Sequence, residues 1–315
     1  MTEATTAAID VIICTYRRPE LLIKTLAGIG RCAVGLGKVR VIVVDNDAAQ
    51  SAREVTLQWA ATAPVVVTYL VQPQQNIALT RNMGLDHANA PWIALIDDDE
   101  VPEENWLKSL ISTAQQYDAD AVFAPVIAEF ASNAPDWATK GTIFQRKRFS
   151  TGTVVPLKET RTGNVLLRGA RLQQDQFRFD RELGLSGGED SEFFARLGKA
   201  GYRMVWCDEA CVREWTPPAR TTMNWVLKRA FRAGSVEAYN KRRFSHFRQA
   251  TLKALESAIF VIQGTVLSVC WAPVSLTHSA LALRRAVYGV GYFYGLCAGP
   301  YLEYRAASPR KEIQP

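Results

Sequence analysis

The chain has 315 residues, 48% of them hydrophobic and 22% charged, enough apolar material for one large α/β domain plus a smaller appendage, which excludes a chain too polar to fold. A net charge of +6 and a pI near 9.0 suit nucleic acid, a phosphorylated substrate or an anionic membrane surface, and do not choose among them. The six cysteines form no CxxC pair, and only His87, His246 and His278 could join them at a metal, so reduced core thiols in a cytosolic protein are expected. Met1 to Thr6 lacks the basic and apolar regions of a signal peptide, which puts the first domain in the cytoplasm.

Strand, loop and helix alternate from the start. Asp10 to Cys14 is a β-branched run, followed by the turn Thr15-Tyr16-Arg17-Arg18-Pro19 and an amphipathic helix from Glu20. The unit repeats with strand Val39 to Val44, the turn Asp45-Asn46-Asp47 and a helix from about Ser51 to Ala61. A third repeat runs from strand Val65 to Val71, through Asn76, into a helix from about Ala78 to His87. A fourth strand, Trp92 to Ile96, discharges into Asp97-Asp98-Asp99-Glu100, and Pro102 is expected to open a helix. Such alternation implies a mainly parallel sheet with helices on both faces and a ligand at the carboxyl ends of its strands. Thr15, Arg17, Asp45, Asn76, Arg81, Asp97 and Asp99 all fall on or just past those ends.

The acidic exit of the fourth strand has two readings. Four adjacent carboxylates raise one another's pKa unless a cation shares the site, which points to a hard divalent ion on oxygen ligands. Alternatively, they are a solvated turn and an acid-rich first helical turn. Neither G-x-G-x-x-G nor G-x-x-x-x-G-K-[ST] is present, so the dinucleotide and P-loop readings lose their warrant. Phosphates would then be neutralised by a metal and arginines.

Farther along, Ala121 to Val126 reads as a fifth strand and Ala128 to Val155 as an irregular, acceptor-side excursion holding Trp137, Phe144, Phe149 and Arg146-Lys147-Arg148. Gly163 to Arg168 gives another strand. The loop Leu183 to Asp190 contains Gly187 and Gly188, which permit close approach of a substrate, and ends in Glu189 and Asp190 at the first turn of a helix running to Ala200. Asp190 is either a functional acid or simply the start of that helix.

From Thr222 the chain is helical and basic, with Lys228, Arg229, Arg232, Lys241, Arg242, Arg243 and Arg248 among Trp225, Phe231, Tyr239, Phe244 and Phe247. The apolar run Ser257 to Ala272 is slightly short for a span and contains Gln263. A second run, Ala286 to Leu302, carries Gly291, Gly295 and Gly299 at a spacing that permits close helix contact. A spanning hairpin would put His278, Arg284 and Arg285 outside, against the positive-inside tendency, so helices lying in the cytoplasmic interface fit better. Two buried helices of a soluble domain remain the alternative.

Between Asp10 and Trp215 these motifs converge, and the chain resembles the family 2 inverting glycosyltransferases with the GT-A nucleotide-sugar-binding fold. Val11 to Pro19 is similar to that family's opening strand and turn, Val43-Val44-Asp45-Asn46 to its uracil-side acid, and Asn76 to Asn82 to the segment whose arginine, here Arg81, meets the nucleotide. Asp97-Asp98-Asp99 resembles the D-x-D element, which implies Asp97 near the ribose and Asp99 on Mn²⁺ or Mg²⁺. Glu189-Asp190 resembles the E-D pair, which implies Asp190 as general base. The likeness is closer to glucosyltransferases of succinoglycan-type exopolysaccharide assembly and extends through Asn224 to Gly234. It implies one sugar, glucose from UDP-glucose, moved from a nucleotide-sugar donor to a lipid-linked oligosaccharide acceptor at the cytoplasmic face of the inner membrane, with no nucleic acid partner.

The division implied is residues 1–215 as the GT-A domain and 216–315 as a basic, helical membrane-interface region. Where relatives often carry a His, this chain has Cys211-Val212-Arg213-Glu214, so Arg213 is expected to touch the donor's diphosphate. The Q-x-x-R-W element of processive synthases is absent, which implies one sugar per encounter. A nucleotidyltransferase, and a non-catalytic scaffold of the same fold in an export complex, are the rival readings.

Overall fold

The structure, a computed structural model, describes residues 8–140, 142–244 and 247–302. Met1–Thr6 and His246 lie outside the described residues, as do the side chains of Phe244, Phe247 and Arg248. The first half alternates as its sequence implies: β1 (Ile9–Thr15), α1 (Pro19–Ala33), β2 (Val39–Asp45), α2 (Arg53–Ala60), β3 (Val66–Val71), α3 (Ile77–His87) and β4 (Trp92–Asp97). Pro19 starts α1, where its missing N–H costs nothing, and the Asn76 side chain caps α3 by accepting from Leu79 N at 3.0 Å.

Then come β5 (Glu100–Pro102), α4 (Trp106–Gln116), β6 (Ala121–Phe123), β7 (Val126–Phe130), α5 (Asp136–Thr139), β8 (Val165–Arg168), α6 (Gly169–Gln174), α7 (Glu189–Lys199), β9 (Met204–Trp206) and β10 (Val212–Thr216). Seven strands form one sheet in the order β3-β2-β1-β4-β8-β6-β9, parallel except where β8 runs against β4 and β6. Alternate side chains of each strand feed opposite cores. Ile9, Val11 and Ile13 pack with α1 and α4, while Ile12 packs with α3 and α7.

Two expectations are corrected here. Pro102 does not open a helix: Glu100–Pro102 is an edge strand of a second sheet, β5-β10-β7, where a residue without an N–H is tolerated, and α4 begins only at Trp106. The segment Ala121 to Val126 is likewise two strands in two sheets, parted at Pro125. Of the cysteines, Cys32, Cys207 and Cys211 are buried, but Cys270 and Cys297 are exposed rather than in a core.

Three long helices complete the chain, α8 (Met223–Phe244), α9 (Phe247–Trp271) and α10 (Leu276–Ala298). The middle layer is α10, packed on α8 and on α9, which touch each other little. Gly291 and Gly295 let α10 reach the α8 backbone at Phe231 and Ser235, whereas Gly299 meets nothing within 4 Å. The glycine spacing therefore serves an intramolecular contact.

Asp10 ties the amino ends of this sheet together. It is 2% exposed and accepts from Arg40 Nε and Nη2 at 2.8 and 2.7 Å and from the N–H groups of Asn89 and Ala90. Burial alone would raise its carboxyl, but Arg40 and the two N–H groups outweigh that and hold it below 3.8. Its stabilisation is thus present above that ordinary value and fades as pH falls through the depressed one. Asp10→Asn is expected to lose about 2 kcal/mol or more in urea unfolding at pH 7, with the gap to wild type narrowing below about pH 4.

Candidate active site

The carboxyl ends of β1 and β4 lie side by side, with Cys14 opposite Asp97. The turn after β4 therefore drops its acids onto the residues that follow β1. Thr15 Oγ1 donates to Asp98 Oδ2 at 2.8 Å, and Arg18 Nη1 donates to Asp98 Oδ1 and Asp99 Oδ2, both at 3.1 Å. From β10's side, Arg220 Nη1 donates to the same Asp99 Oδ2 at 3.1 Å and lies 3.6 Å from Glu214 Oε1. Glu214 Oε2 in turn accepts from Arg146 Nη2 at 2.7 Å.

The other flank is Arg81, whose Nη1 bonds Glu189 and whose Nη2 lies 3.8 Å from Asp97 Oδ1. Glu189 opens α7, and Asp190 beside it is half-buried, accepting from Ser191 N at 2.7 Å and acting electrostatically on both Glu189 and Arg81. Before them, Gly187 and Gly188 have φ of +83° and +90°. A Cβ on Gly188 would sit 2.5 Å from Val236 of α8, so only glycine allows the loop to lie against that helix.

Burial raises Asp97, Asp98, Glu100 and Glu189. Asp98 rises to about 6, the opposing charge of Arg18 being insufficient. Asp97 and Glu189 also rise by burial, against the pull of Arg81. Glu100, 0% exposed, is driven well above 4.5 by burial and then by the Asp97 charge. One of its oxygens accepts from Asp97 N, and the other has no partner among the described residues.

Of the residues singled out in the sequence, Thr15, Arg81, Asp97, Asp99, Gly187, Gly188, Glu189 and Asp190 gather at this rim. Others are engaged in the frame. The Asp45 carboxylate is fully buried and accepts from Asp47 N, Ala52 N and Tyr69 Oη, so it shapes its turn instead of facing a cleft. Asn76 joins α3 to the Arg181 carbonyl, and Arg17, at φ +55°, pairs with Asp47 in the open.

Arg213 is not at the site. Successive side chains of β10 point to opposite faces: Glu214 joins Arg146 and Arg220, while Arg213 pairs with Glu103 at 2.9 Å and Glu129 at 3.2 Å. Arg18, Arg146, Arg220, Glu100 and Glu214 were not picked out as site residues. In the sequence Arg18 stands in the first turn, Glu100 closes the run of four acids, Arg146 lies in a basic run and Arg220 follows the rigid Pro217-Pro218.

A sheet edge that gathers acids and arginines in this way suits an anionic ligand, and the comparisons with known proteins give the family. The Glycosyl transferase family 2 profile matches residues 10–171 and Glycosyl transferase family group 2 matches residues 92–299. The chain belongs to glycosyltransferase family 2 and has the GT-A fold. It is 36% identical over 296 residues to the succinoglycan biosynthesis protein ExoM of Rhizobium meliloti (strain 1021), covering 92% of this chain and 93% of that one. It is 26% identical over 233 residues to the glycosyltransferase AglE of Haloferax volcanii, covering 72% and 71%. Among solved structures, the mannosyltransferase PcManGT from Pyrobaculum calidifontis, in complex with GDP-Man and Mn²⁺, superposes with a TM-score of 0.64 at 16% identity, covering 93% of this chain and 88% of that one. S. aureus TarS 1-349 in complex with UDP gives 0.51 at 15% identity, covering 91% and 90%.

The two arginines the sequence singled out differ in what they hold. Arg81→Ala leaves the buried Glu189 without its cation and is expected to cost about 3–5 kcal/mol in urea unfolding. Arg213→Ala breaks half-exposed pairs and should cost under about 1 kcal/mol.

Proposed function

We propose that this glycosyltransferase moves one sugar, glucose from UDP-glucose, with inversion onto a polyprenyl-diphosphate-linked oligosaccharide, in the assembly of a succinoglycan-type exopolysaccharide. The observation that carries this reading is the meeting of Asp190, on its glycine loop, with Asp97, Asp99 and their arginines at one sheet edge. The relationship to the succinoglycan biosynthesis protein supports the pathway.

In this mechanism Asp190 accepts the proton of the acceptor hydroxyl as its oxygen bonds to the anomeric carbon. The bond from that carbon to the diphosphate oxygen breaks, and the electron pair leaves with the nucleoside diphosphate. Thr15, Arg81 and Asp97 serve the donor, while Arg17, Asp45 and Asn76 act through the turns they brace. Gly187, Gly188 and Glu189 position the acceptor side.

A divalent ion, Mn²⁺ or Mg²⁺, supplies positive charge to the leaving group when bound. Among the described residues no three His, Cys, Asp or Glu side chains form a protein-only cage for it. The donor set fits a hard ion that is shared with substrate. Asp99 Oδ1 makes no contact with the described residues, and Asp97 has 43% of its side chain exposed.

Residues 216–315 are the membrane-interface region in this reading, on the cytoplasmic side. On the outward face of α9, Leu252, Leu255, Ile259, Ile262, Val266 and Val269 recur every three or four residues and are 49–70% exposed. Among the described residues Ala250–Trp271 is the one helix long and apolar enough to cross a bilayer, and little of it is buried. A narrow apolar stripe flanked by Glu256 and Gln263 suits a helix lying in the interface. No nucleic acid is involved.

Asp190→Asn is expected to lower turnover about 100-fold or more while leaving UDP affinity near wild type, as read by product formation and calorimetry. Turnover above a tenth of wild type would remove Asp190 from the role of base. Changing Leu255, Ile262 and Val269 together to Ser touches only exposed side chains and should abolish flotation with anionic liposomes while preserving the fold.

A further inference from the structure

We propose that Arg220 and Arg18 together form the receptor for the donor's diphosphate. This rests on the reading of the donor as a nucleoside-diphosphate sugar, and it replaces Arg213 in that role.

Both guanidinium groups converge on a single carboxylate oxygen, Asp99 Oδ2, each through Nη1 at 3.1 Å. Each has five N–H donors in a planar fork, yet Arg18 spends Nη1 alone, on Asp98 and Asp99, and Arg220 spends Nη1 alone, on Asp99 and the more distant Glu214. The Nε and Nη2 groups of both make no hydrogen bond with the described residues. The side chains are 39% and 21% exposed, half-withdrawn from water but within reach of a ligand. Two adjacent forks with unused donors match a group with several anionic oxygens that can accept bidentate bonds.

Position favours the donor's diphosphate over that of a lipid-linked acceptor. Arg18 and Arg220 meet on Asp99, at the ends of β1 and β4, where Thr15, Asp97 and Arg81 also stand. The backbone before Arg220 is fixed by Pro217 and Pro218, and Glu214, itself neutralised by Arg146, steadies the guanidinium from the side. Charge released on the departing diphosphate would be met by cations already oriented, with little reorganisation.

The test is calorimetry on the full chain with UDP, UMP and farnesyl diphosphate as probes, with and without Mn²⁺. Wild type should bind UDP more tightly than UMP. Arg220→Ala should weaken UDP about tenfold or more, leave UMP within about twofold, and so erase the preference. Arg18→Ala should act in the same direction, Arg220→Lys should recover part of the loss, and Arg213→Ala should match wild type. Arg220→Gln, which keeps a donor for Asp99, carries the same expectation if the alanine variant fails to fold. Unchanged UDP affinity in folded Arg220 variants overturns the proposal while sparing the donor reading. Loss of farnesyl diphosphate binding with UDP binding retained overturns it in favour of the acceptor. Failure of wild type to bind any of the three overturns both the proposal and the donor reading.

Discussion

The rest of the structure depends on a balance of charge at the carboxyl ends of β1 and β4. Asp97, Asp98, Asp99 and Glu100 stand in sequence at a strand end, the last three buried, and withdrawal from water raises Asp97, Asp98 and Glu100 toward their neutral forms. Four arginines from four separate stretches of chain answer them. Arg18 comes from the first turn, Arg81 from α3, Arg146 from the excursion after β7, and Arg220 from the turn after β10. These pairs join the first turn, α3, the excursion and the turn after β10 at one edge, and the same cations that offset the acids there can meet an anionic ligand.

The parallel half of the fold was legible because β-branched strands and amphipathic helices alternate with short connections, and β1 to β4 fall within a residue or so of the bounds their sequence implies. Local pattern failed where partners are distant. Pro102 looks like a helix start until β10, more than a hundred residues later, is seen to pair with it. The acids and their glycine loop were legible as well, because they are contiguous and chemically distinctive. Of their arginines Arg81 was legible, but Arg146 and Arg220 were not, since an isolated Arg carries no signal of where it points. Arg213 turns away from Asp99 because it alternates with Glu214 along β10, and the register of that strand against β5 and β7, not the local sequence, sets which of the two faces the acids.

The helical layer connects to this chemistry through α8. One side of α8 carries Val236 against Gly188, next to Asp190, and another receives the glycine face of α10. Glu237 bonds Tyr288 and lies 3.5 Å from Lys253, tying all three helices together. The exposed apolar stripe of α9 thus has a continuous packed route, through α10 and α8, to the Gly187-Gly188 loop that precedes Asp190.

The central claim is a single displacement in which Asp190 deprotonates the acceptor as the diphosphate departs. Its most direct test is the anomeric configuration of the first product, formed from UDP-glucose and a lipid-linked acceptor and read from the proton coupling of the new linkage by NMR. The account predicts a product of configuration opposite to the donor's, without a covalent glycosyl-enzyme. A product that retains the donor's configuration would contradict it.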